Sequence, residues 1–293
     1  MKTRLIIWSA GCLALLIVSF GELWAGLPEW LSPAGLQRYG VFHWGVLGLC
    51  ILWLWLKRKP VLARMQSGRF RLPFVLIGLA LLALSLFLPR PEEFLVFLML
   101  LGFLGIFTIV FSEAAIIPAV LLAIYGFTVA FPILMIGWLG EPLAILVTST
   151  VTTITGLLGL PVIAEGLVLQ FNSVTGDTIA TMVSPACAGY ATLGVFIALF
   201  ALMMLDVRLP WKRVWYVFLF GLVGTWFQNI LRIVISVAAG YYWGAPALTA
   251  VHYNLAYVIF PLWYALFAYI YLRQAGWRAM PKKASPPPQS PRQ

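Results

Sequence analysis

The side chains able to do chemistry are few, and three of them stand in or beside apolar runs. Cys187 lies in Ser184-Pro185-Ala186-Cys187-Ala188-Gly189-Tyr190, where a loop turns into the start of an apolar run. A helix N-terminus there presents unpaired amide groups and the positive end of a dipole, which stabilise a thiolate and can hold an oxyanion. Pro185 fixes the entry of that helix, and Gly189 allows close backbone approach. Cys12 and Cys50, by contrast, sit among Gly, Leu, Ile and Trp and read as small packing residues. With 3 cysteines in the chain, a fully paired disulfide scheme is excluded, and at least one thiol needs another explanation.

Arg232 is the second such residue, in Trp226-Phe227-Gln228-Asn229-Ile230-Leu231-Arg232-Ile233. Removing a guanidinium from water is costly unless partners receive it. Either it snorkels to the nearer surface, about 9 Å of helix rise away, or it faces protein. Asn229, one turn earlier on the same face, makes the pair a polar patch and favours protein. Of the 2 histidines, His43 reads as an interfacial residue with its polar edge in water. His252, in Ala250-Val251-His252-Tyr253-Asn254, reaches the depth of Cys187 and Arg232 once the apolar runs are threaded through a bilayer. A nucleophile, a proton-transfer group and a fixed cation are what thiol acyl transfer requires. Tyr190, Tyr241 and Asn254 fall close enough to assist.

The elements that must position these residues follow from composition. The 293 residues are 62% hydrophobic and 10% charged, which fits a bilayer better than water as solvent. Apolar runs long enough to span as helices fall near 5–24, 40–56, 72–89, 94–111, 115–138, 188–205, 214–238 and 254–272. With both termini cytoplasmic, sixteen of the 19 Lys and Arg face inward, including the 57–71 and 208–213 loops and the tail. The net charge of +10 is thereby accounted for by the lipid bilayer, with no nucleic-acid partner required.

The stretch 141–160 is long enough to span but carries Thr148, Ser149, Thr150, Thr152, Thr153 and Thr155. A ninth span there would turn the later basic loops outward, so it reads as an outer-side re-entrant or interfacial helix. The first run lacks a small-residue cleavage site and reads as an anchor rather than a signal peptide. Its apolar character also continues well past Cys12, against a lipoprotein reading. Runs 162–171 and 178–183, flanking the turn residues 172–177, suggest a short β-hairpin on the outer surface. The fold class is therefore an all-α polytopic membrane protein of about eight transmembrane helices, with that outer helix and hairpin. A single transmembrane domain covers 1–280, with a catalytic core over 141–272, and a Pro-rich cytoplasmic tail, 281–293, is expected to be disordered. Neither a metal-ligand cluster nor a phosphate-binding glycine motif occurs, so no metal and no cofactor is implied.

Cys187-Ala188-Gly189 at the entry of one run, Asn229-x-x-Arg232 in the next and His252 opening the one after resemble the exosortase/archaeosortase family. The resemblance spans roughly 90–272 and is strongest from 160 onward. Family members usually carry Cys-Ser-Gly, so Ala188 departs from the pattern without touching the nucleophile, and a histidine at 252 points to the bacterial branch. The resemblance implies a membrane-embedded cysteine protease or transpeptidase. Its partners would be exported proteins that end in a short motif such as Pro-Glu-Pro, a transmembrane helix and a basic cluster. Cys187 would form a thioester, resolved by water or by a cell-surface acceptor. Arg232 and His252 would divide charge stabilisation and proton transfer, with the two roles exchangeable, and Asn229, Gly189, Tyr190 and Asn254 would support them. The expected location is the inner membrane, with the active site on the outer face. A transporter or polysaccharide-export subunit would share the polytopic pattern and the intramembrane Arg but would not need Cys187. A catalytically silent scaffold would use the cysteine for packing.

Overall fold

A computed structural model of the protein describes residues 2–30, 41–67 and 71–276. The tail expected to be disordered and the side chain of His43 lie outside what is described. Backbone polar groups in hydrocarbon must be satisfied within the segment that carries them, which favours helices. The chain accordingly forms α1 (Lys2–Ser19), α2 (Gly21–Trp30), α3 (Val41–Leu56), α4 (Arg58–Ser67), α5 (Leu72–Phe87) and α6 (Leu95–Phe111). These are followed by α7 (Ile116–Leu157), α8 (Tyr190–Asp206), α9 (Trp211–Trp243), α10 (Ala245–Asn254) and α11 (Ala256–Gln274). Between α7 and α8 lies a small sheet of β1 (Ile163–Glu165), β2 (Val168–Asn172) and β3 (Thr178–Met182).

By length and composition, Lys2–Ser19, Leu95–Leu157, Trp211–Trp243 and Ala245–Gln274 can cross a membrane, and Trp44–Leu56, Leu72–Phe87 and Tyr190–Asp206 are shorter apolar helices. The stretch Leu95–Leu157 holds both α6 and α7, divided by a tight turn at Ser112–Ala115 in which Ser112 takes φ 48°. Val18, Leu76, Phe87, Leu134, Val223 and Leu262 are exposed on the outside of the bundle. Apolar surface on this scale requires lipid rather than water beside it, so the protein is a multi-pass membrane protein.

Charged pairs tie one end of the bundle together. Lys57 bridges Asp206, Arg71 bridges Glu113, and the Arg213 guanidinium donates to the Gln274 carbonyl at 3.3 Å. The loops that charge patterning assigns to one side therefore sit together. At the opposite end, Arg90 donates to the Ser19 carbonyl at 2.7 Å, and the Val174 amide donates to the Tyr241 carbonyl at 2.8 Å.

The structure corrects the expectation of a separate re-entrant or interfacial helix over 141–160. Helix α7 runs unbroken for 42 residues through Pro132 and Pro142, about 63 Å of rise. The hydroxyls that made the stretch look polar are satisfied within it. Thr148 donates to the Ala144 carbonyl, Thr150 to Leu146, Thr152 to Thr148, Thr153 to Ser149 and Thr155 to Val151, all at 2.7–2.9 Å. Back-bonded hydroxyls leave little polarity to expose, so this half of the helix can pack as core. Ala144, Val147 and Val151 are fully buried against Leu169 and Phe171 of β2 and Ile230, Ile233, Val234 and Val237 of α9.

The hairpin expectation holds for β2 and β3, which pair antiparallel from Val168–Met182 to Asn172–Thr178. The earlier part of the first run differs. Gly166, at φ +62°, folds 163–165 back as β1 onto β2, giving a three-stranded sheet in the order β1-β2-β3.

Helices α5 and α6 approach through paired glycines. A Cβ on Gly78 would fall 2.7 Å from the Gly105 oxygen, and one on Gly105 2.8 Å from the Gly78 oxygen. Gly78→Ala or Gly105→Ala should lower stability by about 1–3 kcal/mol, read as an earlier thermal unfolding in detergent. Gly48→Ala, where nothing lies within 4 Å, should not lower it.

Candidate active site

The cysteine segment is a single tight turn. Ser184 is extended at φ −63°, ψ 157°, Pro185–Ala188 form one 3-10 turn, and the Cys187 amide donates to the Ser184 carbonyl at 2.8 Å. Gly189, at φ +100°, reverses the backbone so that α8 can start at Tyr190. A side chain there would be strained, and its Cβ would stand 3.1 Å from the Asn229 carboxamide.

Three elements hold this turn. From α9, the amide of Asn229, 1% exposed, donates to the Cys187 carbonyl at 2.9 Å. From α7, Gly140 lets Pro185 approach so closely that an added Cβ would meet it at 3.1 Å. From α8, the buried Tyr190 hydroxyl donates to the Leu139 carbonyl of α7 at 2.6 Å. Tyr190 therefore spends its proton on anchoring the turn.

Arg232 lies one turn beyond Asn229, and its charge acts on both Cys187 and His252. The turn before α8, together with α9 and α10, thus brings the three expected residues within reach of one charge. His252 is half-buried on α10, with its ring set edge-on to Tyr253 at 5.6 Å between centroids. A neutral imidazole here could accept a proton.

Two polar atoms at this site are buried without a hydrogen-bond partner: Asn229 Oδ1 and Arg232 Nε. Buried polar groups are nearly always paired, and leaving one unmade costs about 1–3 kcal/mol. An acceptor and a donor one helical turn apart match the N–H and C=O of a peptide. Asn254 is exposed and donates back to Ala250 at 2.7 Å within its own helix. Tyr241 serves through its backbone, accepting from the turn between β2 and β3.

Residues 30–269 match the transmembrane exosortase family. The chain belongs to that family. No curated protein and no solved structure matches it. Exosortases are generally cysteine transpeptidases that process sorting signals. The match begins well before residue 90 and so takes in α3 and α5 as well as the helices around the cysteine.

One contact of this exosortase escapes sequence reasoning. The Ser184 hydroxyl donates to Cys187 Sγ at 3.4 Å, within the reach of a hydrogen bond to sulfur. Its signal was present as a serine three residues before the cysteine, at the cap of a Pro-initiated turn. A hydroxyl donor strengthens as sulfur gains negative charge, so Ser184→Ala should slow alkylation of Cys187 about two- to tenfold. The measurement is iodoacetamide labelling in a variant lacking Cys12 and Cys50, and an unchanged rate would show the contact to be idle. Asn229→Ala should lower thermal stability by about 1–3 kcal/mol, because it leaves the Cys187 carbonyl unpaired.

Proposed function

We propose that this protein is an inner-membrane cysteine transpeptidase or protease that cleaves the C-terminal sorting signals of exported proteins. The chain crosses the bilayer about eight times, with both termini cytoplasmic and the reacting groups at the outer face. Supporting that topology, α8 places about 24 Å of rise between Tyr190 and the Asp206 end, and α9 about 27 Å between Trp211 and Asn229, close to a hydrocarbon thickness. The outer halves of α7 and α9 and the sheet then stand beyond the hydrocarbon as a cap.

The single observation carrying the chemistry is that Cys187 and His252 both lie within the electrostatic reach of Arg232. Cys187 thiolate attacks the carbonyl carbon that follows the recognised motif, and Arg232 balances the charge passing from sulfur to the tetrahedral oxygen. As the C–N bond breaks, His252 delivers to the leaving amine the proton it took from the thiol, and the signal's helix departs. The acyl group remains on sulfur as a thioester. Water, or an amine or hydroxyl of a cell-surface acceptor, then attacks it, giving its proton to His252 and regenerating the thiol. Asn229 Oδ1 supplies an acceptor for a substrate amide.

The test is co-expression with an exported protein that ends in a short polar motif, an apolar helix and a basic cluster, followed by mass measurement of its new C-terminus. Cys187→Ala and Arg232→Ala should abolish processing while each variant still accumulates in the membrane. Retained cleavage in Cys187→Ala cells would exclude the thiol mechanism.

A further inference from the structure

Below the site, a cavity of about 940 Å³ opens between α3, α8 and α11. Its walls are largely apolar, with Val46, Leu49, Leu202 and Ala265 among them, and its charged lining residue is Asp206. On each wall the lining covers eleven residue steps, from Gly45 to Leu56, Val195 to Asp206 and Tyr257 to Ala268. Those steps amount to about 17 Å of rise, more than half of the roughly 30 Å hydrocarbon thickness. A three-walled apolar groove of that height suits the side of one further helix.

Two features select the helix. The groove shares walls with the candidate site: α8 starts directly after the Cys187 turn, and α11 starts directly after the helix bearing His252. A helix seated here leads at its outer end toward the thiol. At the other end, Asp206 faces the groove, while Lys57, which bridges it, is absent from the lining. A carboxylate at the inner mouth attracts a cationic chain end and repels a lipid phosphate at the same depth.

We propose that this groove seats the transmembrane helix of the sorting signal, with Asp206 receiving the basic cluster that follows it. The proposal rests on the sorting-signal reading above and adds where the substrate binds. Seating the helix sets the height of the scissile bond, which would otherwise diffuse freely in the plane of the bilayer.

Full-length protein carrying Cys187→Ala and a photo-crosslinking amino acid at Leu49 or Ala265 is co-expressed with the same exported protein. Crosslinks should form to the substrate's apolar helix from both positions, and not from Leu76 on the lipid-facing side of α5. Crosslinks to lipid alone, or none, while the unaltered protein still processes the substrate, would overturn the groove and leave the enzymatic reading intact. Failure of the unaltered protein to process it would overturn both. For the charged end, Asp206→Asn should slow processing of the basic-ended substrate about fivefold and leave unaffected a substrate whose cluster is replaced by Gln. Equal slowing of both substrates would confine Asp206 to its pairing with Lys57 and overturn its part in recognition.

Discussion

The carbonyl of Cys187 and the carboxamide of Asn229 meet at 2.9 Å in a setting from which water is nearly excluded. The buried carboxamide has no water to turn to, so the bond ties the turn between sheet and α8 to the middle of α9. Gly189 makes the approach feasible, since a Cβ would press on the same carboxamide. Because Arg232 follows Asn229 by three residues on one helix, whatever fixes Asn229 against the cysteine turn also fixes the guanidinium near the thiol. The position of His252 is decided less tightly, by the reversal at Gly244, whose φ is +82°, between α9 and α10.

A second constraint is the change of solvent along the long helices. Helices α7 and α9 are longer than a hydrocarbon thickness, and their halves nearer the sheet bury Val147, Val151, Ile230, Val234 and Val237 against β2. The small sheet is therefore no appendage. It covers apolar surface of the two helices, and the Val174–Tyr241 backbone bond fastens its turn to the end of α9. Below that level the bundle packs by small residues and close backbones, as Gly78 and Gly105 do, because lipid offers no hydrophobic gain for helix association.

The sequence alone determined the membrane class, the apolar helices and the β2–β3 pairing. Each is written in local composition, as run length or as turn residues. The tertiary structure decided what depends on distant partners. The threonines of 148–155 read as a polar surface until their hydroxyls were found bonded to carbonyls one turn back. β1 appeared only when Gly166 folded the chain onto β2, and Asn229 met Cys187 across 42 residues of sequence. Local pattern reports how a residue suits its solvent. Which partner satisfies a buried hydrogen bond is settled only when the helices pack.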